Sequence, residues 1–293
     1  MTTAMTSAGA VTPERSVTVT GSVAPTPPGI TPPWPADPSS IHSSIVDSSV
    51  QAAPACDPGR VAGLGQAELP DLGGVARLRL GRARTVVVLA AHLDEELCAA
   101  GGLLASLAAS SAEIRVLAVT DGDGASHPDR VAAARLGRRR ARLAVAYQLL
   151  GLDPERYRLG LRCGRVAGAE GDVLAAISEL LGFADPAGLL CLAPWIHDTH
   201  PDHAAVGHAA TRACQAYRTR LLYYSITQWE HPRHPGMPDL PLQRARRFSL
   251  SEVLATRKDQ ALAHLTRPRR HGAPAPSGLT LSPGGPACEV FIA

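Results

Sequence analysis

Residues 84–91 (RTVVVLAA) are apolar from Val86 onward with no polar alternation. A strand with one wet face alternates, whereas an uninterrupted β-branched run suits a strand covered on both faces, as in a parallel sheet flanked by helices. The segments that follow agree. Residues 97–110 read as a helix weakened at Gly101 and Gly102, which permit close packing. Residues 114–120 (IRVLAVT) read as a second strand ending in the turn Asp121-Gly122-Asp123-Gly124, and residues 130–150 as a helix stopped by Gly151. Strands are expected at 157–161, 188–193, 221–226 and 288–292, and helices at 172–181, 202–217 and 251–265. This alternation predicts an α/β fold: a Rossmann-like, doubly wound, mostly parallel sheet with helices on both faces.

The first eighty residues differ in character. Trp34 is the only aromatic residue before Tyr147, and Ser, Thr, Ala, Gly and Pro dominate. Such a stretch has little apolar surface to offset its ordering entropy. Residues 1–80 are therefore expected to form a disordered or low-complexity extension, and residues 81–293 the folded domain.

Net charge is only +3, and the arginines are scattered or grouped in one helical run, which argues against nucleic acid as partner. No run of about eighteen apolar residues and no leader pattern is visible, so no membrane span is expected. The six cysteines, at 56, 98, 163, 191, 214 and 288, form no C-x-x-C and suit reduced thiols in a cytoplasm. Nothing in the sequence specifies an oligomeric state.

In doubly wound sheets ligands collect beyond the carboxyl ends of the strands. Two such ends carry unusual residues: His92, Asp94, Glu95 and Glu96 after the first strand, and His197, Asp198, His200, Asp202 and His203 after residues 188–193. A hydrolytic zinc site needs neutral imidazoles, a carboxylate and an open position. His92 with Glu95, and His200 with His203, are each three residues apart where a helix opens. Asp94 can take a proton from metal-bound water.

Each piece has an ordinary reading as well. A histidine ending a strand can be a hydrogen-bonding residue, Asp94-Glu95-Glu96 can complement a helix dipole, and Cys98 can be a packed thiol. His197, Asp198 and His208 read better as solvated positions than as site residues. Asp121 and Asp123 suit a glycine-aspartate turn as well as contacts to substrate hydroxyls. The arginine run 138–140 suits a solvated face, or one arginine anchoring a ligand.

Taken in order, the motifs Ala91-His92-Leu93-Asp94-Glu95-Glu96, Gly101-Gly102, Thr120-Asp121-Gly122, Arg139-Arg140-Ala141-Arg142 with Leu150-Gly151, and His200-Pro201-Asp202-His203 resemble the PIG-L/LmbE-like family of zinc-dependent de-N-acetylases. The resemblance covers about residues 82–293, with Lys258, His264 and Glu289-Val290-Phe291 in its closing segment. It implies Zn²⁺, or another divalent metal, held by His92, Glu95 and His203. It implies Asp94 as general base and His200 as the group that steadies the oxyanion or protonates the leaving amine, with Arg139 and Asp121 as substrate contacts. The implied substrate is a small-molecule amino sugar of the N-acetylglucosamine type. Three residues depart from the family pattern: Leu93 for proline, Glu95 for aspartate and Arg142 for glutamate. The Glu95 and Arg142 replacements raise one alternative, a degenerate relative that binds a sugar or metabolic partner without cleaving it; a narrower enzymatic alternative is an amidase of a thiol–sugar conjugate. Residues 229–241 and 268–286 are the loops expected to set specificity.

Overall fold

A computed structural model describes residues 15–16, 72, 74–121, 130–227, 239–265 and 287–293. The main elements run β1 (Arg15–Ser16), β2 (Thr85–Ala90), α1 (Glu95–Ala109), β3 (Glu113–Thr120), α2 (Arg130–Leu150), β4 (Glu155–Leu161), α3 (Glu170–Gly182), β5 (Leu189–Pro194), α4 (Pro201–Ala216), β6 (Arg220–Tyr224), β7 (Ala245–Ser249), α5 (Glu252–Leu265) and β8 (Cys288–Ile292). The strands form one sheet in the order β1-β4-β3-β2-β5-β6-β8-β7. Pairing is parallel from β1 to β6, while β8 runs antiparallel to both β6 and β7. This is the mostly parallel α/β sheet that the uninterrupted apolar run predicts.

The unalternating composition of β2 has its reason in the two cores. Val86 and Val88 pack on one face with Leu97, Leu103 and Leu104 of α1 and Leu143 of α2. Val87 and Leu89 pack on the other with Ile177 of α3 and Val206 of α4. Side chains alternate across a strand, so both sets must be apolar when both faces are covered.

Three pieces lie beyond the sequence reading. Strand β7 carries Arg246, Arg247 and Ser249, a composition without a strand signal, and it lies between β8 and the segment around Arg77, whose Ala76 carbonyl and Leu78 N–H bond the Arg247 backbone. Arg15–Ser16 extends the opposite edge by pairing with Tyr157 and Arg158 of β4. Leu72 and Val75, both buried, pack with Ala245, Cys288 and Val290, so ordered packing starts before residue 81. Asp123 and most of the two expected specificity loops lie outside the described residues.

Close approach at two glycines fixes the helices that carry the rim. A Cβ on Gly102 would meet Leu250 Cδ2 at 2.4 Å and Glu289 Oε1 at 3.0 Å. That closeness lets the Glu289 carboxylate accept the Gly102 and Leu103 N–H groups at 2.7 and 2.8 Å while pairing with Lys258 Nζ at 2.7 Å. The buried pair thus ties α1 to β8 and α5. At Gly207 a Cβ would lie 2.6 Å from the Pro194 carbonyl oxygen, which a rigid strand end cannot yield. Gly207→Ala is expected to cost about 1–3 kcal/mol in denaturant unfolding, because α4 must move off β5. An unchanged midpoint would show that the strand end yields after all.

Candidate active site

The sheet order places the site. β3 lies on one side of β2 and β5 on the other, so the chain reverses direction of winding between β2 and β5. The crevice at such a switch point is where side chains from two strand ends meet. His92 and Asp94 leave the end of β2, and Asp198 to His203 leave the end of β5.

The imidazoles of His92, His200 and His203 gather there, with one nitrogen of each within 4.8 Å of the others. Glu95, in the first turn of α1, joins them: its Oε1 lies 2.8 Å from His203 Nε2, and its Oε2 accepts the His92 backbone N–H at 3.0 Å. The two chain segments that the sequence reading paired are therefore in contact. Two further residues orient the rings. His92 Nδ1 lies 2.8 Å from Thr120 Oγ1 at the end of β3, which turns Nε2 toward Asp202 Oδ2, 3.9 Å away. His203 Nδ1 faces Asp198 Oδ2 at 3.3 Å, so Nε2 points inward to Glu95. A carboxylate behind an imidazole is the usual support of a metal-binding histidine.

Asp198 corrects the sequence reading, which favoured a solvated position. It is 6% exposed, and its Oδ1 accepts the His200 N–H at 2.9 Å and the Thr227 hydroxyl at 2.7 Å. His197 and His208 are exposed, as expected. No spacing rule separates Asp198 from His197, and Thr120 carried no signal beyond its place in the turn motif.

Asp94 caps α1 in a left-handed conformation (φ 75°, ψ −4°) and its carbonyl accepts the Leu97 and Cys98 N–H groups. Such a backbone costs about 1 kcal/mol or more for a non-glycine residue and persists where neighbours hold it. Arg139 is the neighbour. Its Nε and Nη2 each donate to the Asp94 carboxylate at 3.0 Å, and Nη2 also donates to the Leu93 carbonyl at 2.8 Å. Arg139, expected at the substrate, is thus placed behind the candidate base. Asp121 is likewise engaged, by Arg140 at 2.8 Å and by Arg158 Nε at 3.0 Å. His200 caps α4, its Nδ1 accepting the Asp202 N–H at 3.2 Å. Neutral His200 therefore carries its proton on Nε2.

Burial and pairing set the charges. Burial raises Asp94 from its ordinary value, and Arg139 offsets this only in part. For Glu95 burial opposes ionisation, but the His203 and His92 imidazoles outweigh it and bring the carboxyl down to about 2. Burial also opposes protonation of His203, yet Glu95 and Asp198 push it well above its ordinary value. Glu96 stands apart: burial pushes it up to about 7, although it accepts a short hydrogen bond from the Tyr147 hydroxyl.

Glu96 gives a pH prediction. Its folded value lies above the ordinary 4.5, so the fold is unburdened below that pH and loses stability as pH rises through about 7. In metal-free protein Glu96→Gln is expected to stabilise by on the order of 3 kcal/mol near pH 8.5 and by little near pH 5. Thermal unfolding at both pH values checks this; equal shifts would remove the ionisation argument.

Fold and rim together define a class: doubly wound α/β proteins that assemble imidazoles and carboxylates from two strand ends at the switch point. Residues 87–214 match the sequence profile of PIG-L, described as GlcNAc-PI de-N-acetylase. That stretch is similar to the PIG-L/LmbE-like family. Among solved structures it is similar to the A40926 pseudoaglycone deacetylase Dbv21, at 21% identity over 72% of this chain and 97% of that one, with a TM-score of 0.55. It is similar also to the zinc-inhibited form of the teicoplanin deacetylase Orf2, at 17% identity over 71% and 97% of the chains, again with a TM-score of 0.55. At such identities the likeness is one of fold. No curated protein matches the sequence.

Proposed function

We propose that this protein is a divalent-metal hydrolase, zinc by the nature of its donors, that removes the N-acetyl group from an N-acetylglucosamine-type amino sugar. The observation that carries the reading is the buried junction of Glu95 and His203 at 2.8 Å beside His92 and Asp94. The donors suit an ion: the imidazoles of His92, His200 and His203 hold one nitrogen each within 4.8 Å of the others, His92 and His203 are backed by Thr120 and Asp198, and Glu95, a carboxylate that stays ionised, lies against His203. His92, Glu95 and His203 would hold it. A bound divalent ion supplies Lewis acidity to the amide carbonyl and makes water more acidic.

The remaining steps belong to the side chains. Asp94, kept basic by burial and aimed by Arg139, takes the proton of the attacking water. His200, with its proton on Nε2, steadies the oxyanion or protonates the departing amine as the C–N bond breaks. Water and amide give acetate and a free amine. We assign the chemistry to residues 81–293 together with the packed stretch from Leu72. A cytoplasmic location accords with the thiol state of Cys98, Cys163, Cys191, Cys214 and Cys288. Among the described residues no helix is long and apolar enough to cross a membrane.

The test is metal analysis of purified protein together with acetate release from a panel of N-acetylglucosaminides that includes thiol–sugar conjugates. Bound metal with release is expected. Protein without metal and without release overturns the reading, and sugar binding without turnover favours the degenerate relative, in which Glu95 closes on His203 for good.

A further inference from the structure

We propose that Cys163 is a thiolate ligand in an alternative donor set at this rim, His92–Cys163–Asp202, which competes with the imidazole cluster for His92 Nε2 and seats a thiophilic divalent cation. The proposal rests on reading the rim as a metal centre, but not on the reaction.

Cys163 reaches the rim from a third strand end. It follows β4, and Gly164, at φ 77°, turns the loop back over α4. Asp202 clasps that turn, its Oδ2 accepting the Gly164 N–H at 2.6 Å and its Oδ1 the Val166 N–H at 3.1 Å. These bonds fix the cysteine beside the carboxylate, since both N–H groups lie within three residues of it. As a result one donor atom each of His92, Cys163 and Asp202 lies within 4.8 Å of the other two. Asp202 is fully buried and His92 is 6% exposed, so two donors of the set are already desolvated and held. Each carboxylate oxygen of Asp202 has lone-pair capacity beyond the one N–H it accepts.

The chemistry of the set differs from that of its neighbour. A thiolate with imidazole and carboxylate selects zinc, cobalt(II) or cadmium over magnesium and calcium. Binding deprotonates the thiol and leaves its proton to solvent, with no change in oxidation state. Negative charge from sulfur also makes an ion here a weaker Lewis acid than one held by nitrogen and carboxylate oxygen alone.

Cobalt(II) titration of the metal-free full-length protein tests this by absorption. A sulfur-to-cobalt charge-transfer band in the near ultraviolet is expected, lost in Cys163→Ser while the weaker visible cobalt bands remain. In parallel, zinc is expected to slow alkylation of Cys163 in the unmutated protein by on the order of tenfold, read by peptide mass spectrometry. Cobalt bound with visible bands but no charge-transfer band, or a band unchanged in Cys163→Ser, overturns the assignment and leaves the metal-centre reading intact. Failure to bind cobalt at all overturns both.

Discussion

Asp94→Asn is expected to lower acetate release by about 10²- to 10⁴-fold while metal content stays at the unmutated level. Asparagine keeps the shape of the side chain and tolerates the left-handed backbone at this position. Its amide offers one acceptor, so one of the two Arg139 bonds to the carboxylate is lost while the bond to the Leu93 carbonyl remains. What disappears is the capacity to take a proton, and Asp94 is not among the proposed metal donors. The check is turnover measured beside metal stoichiometry. Full turnover in this variant would remove Asp94 from the chemistry, and loss of metal would make it a structural support of the seat.

His203→Ala is expected to be the most destabilising single change at the rim. It leaves Glu95 and Asp198 buried with no imidazole between them, and breaking a buried pair in this way costs about 3–5 kcal/mol. The sign with pH follows from the two partners. Glu95 is held below its ordinary 4.5, so its contribution is present above that pH and lost as pH falls through about 2. His203 is held above its ordinary 6.5, so its contribution is present below that pH and lost as pH rises through its folded value. In metal-free protein the pair is one interaction at full strength between pH 4.5 and 6.5, where the variant should lose most. Denaturant unfolding across pH measures this, and a loss independent of pH would assign the cost to packing alone.

Much of the fold was legible locally. The eight positions of residues 84–91 announce a strand covered twice, and β2 lies with helices on both faces. Gly151 ends α2 at φ 71°, as a helix-stopping glycine should. Strand β7 was illegible because its arginines carry no strand signal, and pairing with β8 supplies what composition lacks. At the rim, the spacing of His92 with Glu95 and of His200 with His203 marked two segments that the fold brings into contact. Asp198 was misread since a short polar loop after a strand is usually wet, and only its burial under Thr227 and His200 shows otherwise.

The sequence alone determined helices α1 to α5, the strands other than β1 and β7, their order along the chain and the two segments that meet at the rim, because helix caps, apolar period and strand length are set by residues a few positions apart. Tertiary structure decided which side chains face one another. Arg139 lies on Asp94 across 45 residues, Thr120 on His92 across 28, and Glu95 on His203 across 108. Those meetings follow from strand order, which places β3 and β5 on either side of β2 and brings β4's outgoing loop back over α4. No local pattern encodes that order, since it is fixed by how the two apolar faces of the sheet are covered together.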